Sequence, residues 1–255
     1  MPAPINPLKR ALAAGETTFG SWSGLGDANS AEVMAGAGFD WLVVDNEHSP
    51  NDLRSTRDQL VAMEASDTHA VVRVPIGETW MIKQMLDIGA QSLLVPMVES
   101  GEQAQHLVAA CRYPPHGIRG VGAALGRASK FNQIEDYAAT ADAQVCVILQ
   151  VESRAGFAAL DDILAVEGVD SVFIGPADLA ADMGHIANPM HPEVVAAIID
   201  AITRIKAAGK APGILSMNDD MISQSLEAGA QFLAVGVDVL ILANSAKAIA
   251  KKWKG

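Results

Sequence analysis

Glu167-Gly-Val-Asp-Ser-Val-Phe-Ile-Gly175 is a phrase the chain uses four times. It recurs as Ala37-Gly-Phe-Asp-Trp-Leu-Val-Val-Asp45, as Ile88-Gly-Ala-Gln-Ser-Leu-Leu-Val-Pro96 and as Ala228-Gly-Ala-Gln-Phe-Leu-Ala-Val-Gly236. Each copy reads as a helix ended by a left-handed glycine, a turn of two or three residues, and a short apolar strand. That order is the return from a helix into the next strand of a βα repeat. Filling in the runs between the copies predicts eight strands, near Thr18–Trp22, Trp41–Asp45, Ala70–Val74, Ser92–Pro96, Cys146–Val151, Ser171–Gly175, Ala211–Leu215 and Phe232–Gly236. Apolar residues at three- and four-residue spacing predict helices over Asp52–Ala65, Thr79–Ile88, Gly101–Cys111, Pro192–Ala208, Asp219–Ala228 and Leu240–Trp253. Eight such units in one chain predict a (β/α)8 TIM barrel, with a doubly wound open sheet as the alternative. No linker or low-complexity tract interrupts residues 1–255, so one domain is expected. Two stretches break the rhythm: Tyr113 to about Ala143, rich in Pro and Gly at its start, and Met183–His191.

Composition narrows the function. A formal charge of -12 disfavours nucleic acid and anionic membranes as partners, because phosphates repel it. No apolar run is long enough to span a bilayer, and Met-Pro-Ala-Pro-Ile-Asn-Pro lacks the apolar core of a signal peptide. Cys111 and Cys146 lie in apolar settings without metal spacing, which fits a reducing cytoplasm.

In a (β/α)8 barrel the chemistry lies past the C-terminal ends of the strands. Those ends carry Trp22, Asp45-Asn-Glu-His48, Arg73, Glu152, Asp178, Leu215 and Ser216. Glu152 closes one buried-strand run and Asp178 follows the next, in Gly175-Pro-Ala-Asp178. Either acid alone reads equally well as a helix cap. Both together, on strands expected to be neighbours, point to a hard octahedral cation such as Mg²⁺ or Mn²⁺, with Co²⁺ a further candidate. His48, beside Asp45 and Glu47, is the general-base candidate. Arg73 interrupts an apolar strand and needs an anion, either a protein carboxylate or a bound substrate. Trp22 reads first as packing, and Asp87, in a helix, as a solvated or interfacial acid. No strand end carries a lysine, which removes the nucleophile of a Schiff-base mechanism, and no Walker loop, GxSxG elbow or post-strand GxGxxG is present. Metal-assisted proton abstraction remains.

The residues in these phrases resemble the HpcH/HpaI family of metal-dependent 2-keto acid aldolases, in its 4-hydroxy-2-oxoheptanedioate aldolase branch. The matching phrases are Gly36-Ala-Gly-Phe-Asp-Trp-Leu42, Asp45-x-Glu-His48, Ile82-Lys-Gln-Met-Leu-Asp87, Leu93-Leu-Val-Pro-Met97, Tyr113-Pro-Pro-x-Gly-Ile-Arg-Gly-Val-Gly122, Gln150-Val-Glu-Ser-Arg154, Val172-Phe-Ile-Gly-Pro-Ala-Asp-Leu179 and Lys210-Ala-Pro-Gly-Ile214. The resemblance implies a barrel assembled as a hexamer with exchanged C-terminal helices, and a divalent cation held by Glu152 and Asp178. It implies His48 as base, Arg73 as the group steadying an enolate, and Asp87 as the acid that tunes the histidine. Gln150 and Ala177 would contact the 2-keto acid, and backbone N–H groups after Gly175-Pro176 its carboxylate. Asp45 belongs with the catalytic group, and Trp22 and Leu215 with the substrate contacts. The implied reaction joins a pyruvate or hydroxypyruvate donor to an aldehyde, or cleaves a 4-hydroxy-2-keto acid. The competing readings are a citryl/malyl-CoA-type lyase or thioesterase, disfavoured by the acidic charge, and a barrel that only binds a keto acid.

Overall fold

The computed structural model describes residues 1–254. Among them eight parallel strands close into a barrel in sequence order: β1 (Thr18–Ser23), β2 (Trp41–Asp45), β3 (His69–Arg73), β4 (Ser92–Val95), β5 (Cys146–Val151), β6 (Ser171–Ile174), β7 (Ala211–Leu215) and β8 (Phe232–Val237). The expected barrel is present, and the open sheet is excluded by the pairing of β1 with β8. Gly38, Gly89, Gly168 and Gly229 all have left-handed φ, between 91° and 108°, as the four-fold phrase requires. Strand boundaries shift by a residue. β3 begins at His69 rather than Ala70, and β4 stops at Val95, before the proline.

The strands read as unbroken apolar runs because both of their faces are buried. One face, including Leu42, Val44, Val72, Leu93, Leu149, Val172 and Ile174, packs against the surrounding helices. The other points into the barrel and brings together Trp22, Trp41, Val43, Val71, Leu94, Ile148, Phe173 and Phe232. Trp41 stacks on Phe232 with ring centroids 3.8 Å apart, filling the lumen rather than leaving a pore.

Three further elements surround the barrel strands. The helix Pro7–Ala13 places Leu8 and Leu12 in the lumen cluster. Asn6 caps it through Lys9 N–H and donates its own amide to Ser92 Oγ and to the Gln91 and Gln144 carbonyls, so it plugs the N-terminal end of the barrel. The segment from Tyr113 onward forms short turns and the helix Tyr137–Thr140, with a small core of its own built from Ala3, Tyr113, Ile134, Tyr137 and Ala141. The helix Pro176–Asp182 starts directly after β6 and carries Asp178. The C-terminal helix Asp238–Lys254 leaves Leu240, Leu242, Ile249 and Trp253 exposed. Among the described residues no helix is long and apolar enough to cross a membrane.

Candidate active site

Strand register builds the first half of the site. β2 and β3 pair with Asp45 opposite Arg73, so two inward-facing side chains meet at the C-terminal rim. Arg73 donates from Nε to Asp45 Oδ1 and from Nη2 to Asp45 Oδ2, both at 2.8 Å, and its Nη1 lies 2.8 Å from Glu47 Oε2. The guanidinium sits 5.5 Å from the Trp22 ring centroid, and the residue is only 8% exposed. Protein carboxylates therefore answer the question that the sequence left open about its anion. Two of the five guanidinium N–H groups donate to Asp45, while the Glu47 contact is an ion pair in which Glu47 Oε2 accepts no hydrogen bond, which leaves three N–H groups for a ligand. Burial works to raise the Asp45 pKa, but the Arg73 hydrogen bonds and charge, with the Glu47 and His48 N–H groups, outweigh it and hold the carboxyl below its ordinary value. Glu47 moves the other way. Burial raises it and Glu152 adds to the rise, with Arg73 offsetting part.

The second half comes from β5 and β6. Their register sets Val151 opposite Ile174, so Glu152 and Gly175 are neighbours across the rim. Glu152 is 3% exposed, yet neither it nor Asp178 forms an ion pair among the described residues. Its Oε1 accepts the Met97 N–H at 3.0 Å, and its Oε2 accepts the Gln150 side-chain amide. Burial raises the Glu152 pKa, the two hydrogen bonds pull against it, and the charge of Asp178 raises it further. The Arg73 charge offsets part of this from a distance, but a buried carboxylate with no cation in ion-pair contact, facing a second carboxylate, is electrostatically incomplete. An oxygen-only donor set suits Mg²⁺ or Mn²⁺, and the residues fit such an ion. Gln150 Oε1 is buried beside them without a partner.

Gly175 is required here by space. A Cβ on it would lie 2.2 Å from Glu152 Oε2 and 2.8 Å from Glu152 Cβ. Gly175→Ala is expected to push the carboxylate aside and weaken Mn²⁺ binding about tenfold or more while the barrel stays folded, as titration calorimetry and thermal melting would show. Of the backbone donors expected near this point, Gly175 N–H is already committed to the Val151 carbonyl at 3.2 Å, and Pro176 has none. Ala177 lies exposed at the lip.

The other predicted residues divide. His48 stands at the same rim with its side chain 67% exposed and Nε2 3.9 Å from Glu47 Oε1. Trp22 is buried as a packing residue under Arg73. Leu215, half-buried, packs against the lumen cluster. Asp87 stands apart from the other candidates. It ends the helix Thr79–Asp87, which runs back from β3 to the start of β4, so it lies at the N-terminal face and cannot reach His48 within one chain. There it pairs at 2.8 Å with Arg119, whose side chain is fully buried over the Tyr113 ring.

Sequence reasoning missed the Met97 N–H, since no glycine marks the left-handed φ of 55° that aims it at Glu152. It also passed over His185, His191 and Glu193, which cluster on the late insert. The two imidazoles stack with centroids 3.5 Å apart and planes 13° from parallel, so their nitrogen lone pairs run side by side instead of converging on one ion.

Comparison with known proteins gives the family. The HpcH/HpaI aldolase/citrate lyase family matches residues 18–245. A hydroxypyruvate/pyruvate aldolase of Roseobacter denitrificans is 58% identical over 254 residues, spanning 100% of this chain and 99% of that protein. A 4-hydroxy-2-oxo-heptane-1,7-dioate aldolase of Salmonella dublin is 52% identical over 248 residues, 97% of this chain and 94% of that one. Among solved structures, an HpcH/HpaI aldolase/citrate lyase family protein from Burkholderia cenocepacia superimposes with a TM-score of 0.94 at 40% identity, covering 98% of this chain and 100% of the other. The chain belongs to the HpcH/HpaI aldolase/citrate lyase family.

Proposed function

We propose that this protein is a divalent-cation-dependent aldolase, a carbon–carbon lyase that forms and cleaves 4-hydroxy-2-keto acids. Pyruvate or hydroxypyruvate is the donor, as the names of the relatives suggest, and an aldehyde is the acceptor. The observation that carries the reading is the buried Glu152 carboxylate, without an ion-pair partner among the described residues, beside Asp178 and across the mouth from the Asp45–Arg73–Glu47 cluster.

Glu152 and Asp178 hold the cation, Mg²⁺ or Mn²⁺ with Co²⁺ a further option. When bound, it polarises the donor's keto group and offsets the negative charge that follows proton loss. Asp45 locks the plane of Arg73 through two hydrogen bonds, with the Glu47 charge beside it, so its free N–H groups are preorganised toward that developing charge and cost no reorientation during the reaction. Gln150, fixed through its amide on Glu152, presents its free Oε1 to the same space. His48 takes up the proton lost from C3 of the donor, through an intervening water, and its exposure keeps that proton in exchange with solvent.

Asp87 can tune a His48 only if that histidine belongs to another copy of the chain. The uncovered apolar residues of Asp238–Lys254 supply a surface for such assembly, in line with a hexamer that exchanges this helix. Both cysteines are buried and free, as a reducing cytoplasm allows.

The test follows pyruvate release from a 4-hydroxy-2-keto acid after chelation and again after Mn²⁺ is restored. Cleavage should vanish and return. Hydrolysis or cleavage of an acyl-CoA thioester in its place would contradict the reading. His48→Ala is expected to lower kcat by about 10²–10³-fold while donor affinity changes less than about threefold. Equal losses in both quantities would sink the base assignment.

A further inference from the structure

The Met97 N–H meets Glu152 from a left-handed backbone, with φ 55°, a conformation that a non-glycine residue holds when its surroundings impose it. Those surroundings are specific. Gln103, in the first turn of the helix Gly101–Ala110, spans the loop with both ends of its side chain. Its Nε2 donates to the Met97 carbonyl at 3.2 Å, and its Oε1 accepts the Glu99 N–H at 2.9 Å. On the opposite side the loop is tied to β5 and the turn after it, where Val98 N–H donates to the Gln150 carbonyl at 2.9 Å and Ser153 Oγ donates to Glu99 Oε1 at 2.5 Å. The loop Pro96–Ser100 is thus held between β5 and one amide side chain, and its one donor into the site points at a carboxylate.

We infer that Gln103 is a positioning residue for Glu152. By fixing the peptide that follows Met97 it holds the left-handed turn, and through it the preceding peptide whose N–H keeps one lone pair of Oε1 engaged, so the carboxylate stands at a single angle before any cation arrives. The Gln150 amide does the same for Oε2. A ligand restrained on both oxygens loses little freedom on binding, and removing such outer contacts weakens metal sites. The inference rests on the proposed role of Glu152 as a ligand and adds the residue that orients it.

The test measures Mn²⁺ affinity by the electron paramagnetic resonance signal of free Mn²⁺, on wild type, Gln103→Ala and Ser100→Ala. Ser100 Oγ caps the same helix at Gln103 N–H, so Ser100→Ala perturbs the helix without touching the Met97 carbonyl. Gln103→Ala should raise the Mn²⁺ dissociation constant about tenfold, and Ser100→Ala less than about twofold. In turnover, Gln103→Ala should raise the Mn²⁺ concentration needed for half-maximal rate more than it lowers kcat at saturating Mn²⁺. A Gln103→Ala constant within about twofold of wild type, or an equal loss in Ser100→Ala, overturns the positioning role while leaving the cation site standing. A wild-type protein that binds no Mn²⁺ overturns both.

Discussion

Glu152→Gln is expected to abolish the activity in practice, lowering kcat/KM by a factor of about 10³, roughly 4 kcal/mol of transition-state stabilisation. The substitution keeps the shape of the side chain and removes the charge, so Mn²⁺ binding should fall with it. A second consequence separates this account from a merely structural role. In the metal-free wild type Glu152 is a buried charge with no ion-pair partner, and burial already raises its pKa. Neutralising it removes that penalty, so metal-free Glu152→Gln should melt at or above the temperature of metal-free wild type near neutral pH. Saturating Mn²⁺ should stabilise wild type and leave the variant where it was. Differential scanning calorimetry with and without Mn²⁺ reads both. A variant less stable than wild type in the absence of metal would mean that the carboxylate serves the fold.

Arg73→Ala is expected to have the opposite signature. It strips the partner from Asp45 and Glu47, both at the buried rim, and leaves carboxylates with no compensating charge. Breaking a pair of this kind costs about 3–5 kcal/mol, a fall in melting temperature of roughly 10 °C for a chain of this size. The pH dependence has a definite sign. The folded Asp45 carboxyl titrates below its ordinary value of 3.8, so its contribution is complete above that value and is lost as pH falls through the lower folded value. Wild type should show this acid-side loss, and Arg73→Ala should show it weakened. Adding Asp45→Asn to Arg73→Ala should restore part of the stability and none of the activity. Arg73→Lys, which cannot reproduce the paired hydrogen bonds to Asp45, should retain more stability than Arg73→Ala but still lose most of kcat.

The parts that were legible share a local cause. Gly38, Gly89, Gly168 and Gly229 announce the helix-to-strand returns because the left-handed cap selects glycine within a few residues of sequence. The placement of Glu152 and Asp178 just past neighbouring strands was readable because each follows a strand long enough to be seen. The partner of Arg73 was not, since the register that sets it opposite Asp45 is a property of two strands and leaves no mark on either. Asp87 is a different case, legible as to its place and not as to which copy of the chain it faces. Its motif suggested a role beside His48, whereas the alternation of strand and helix already sends the end of the helix Thr79–Asp87 to the far face of the barrel. The plug helix Pro7–Ala13 did carry a signal, an Asn at the cap followed by a proline at the first helical position, but its short length hid the apolar stripe.

The central claim is that these residues let a cation-bound 2-keto acid lose a proton from C3. The direct measurement is proton–deuterium exchange at C3 of pyruvate and of hydroxypyruvate in D₂O, followed by NMR with no aldehyde present, on chelated protein and again with Mg²⁺ or Mn²⁺ restored. The account predicts exchange only when the cation is present, lost in Glu152→Gln and slowed in His48→Ala, with the faster donor naming the preference. Absence of exchange from both donors while Mn²⁺ is demonstrably bound would contradict it.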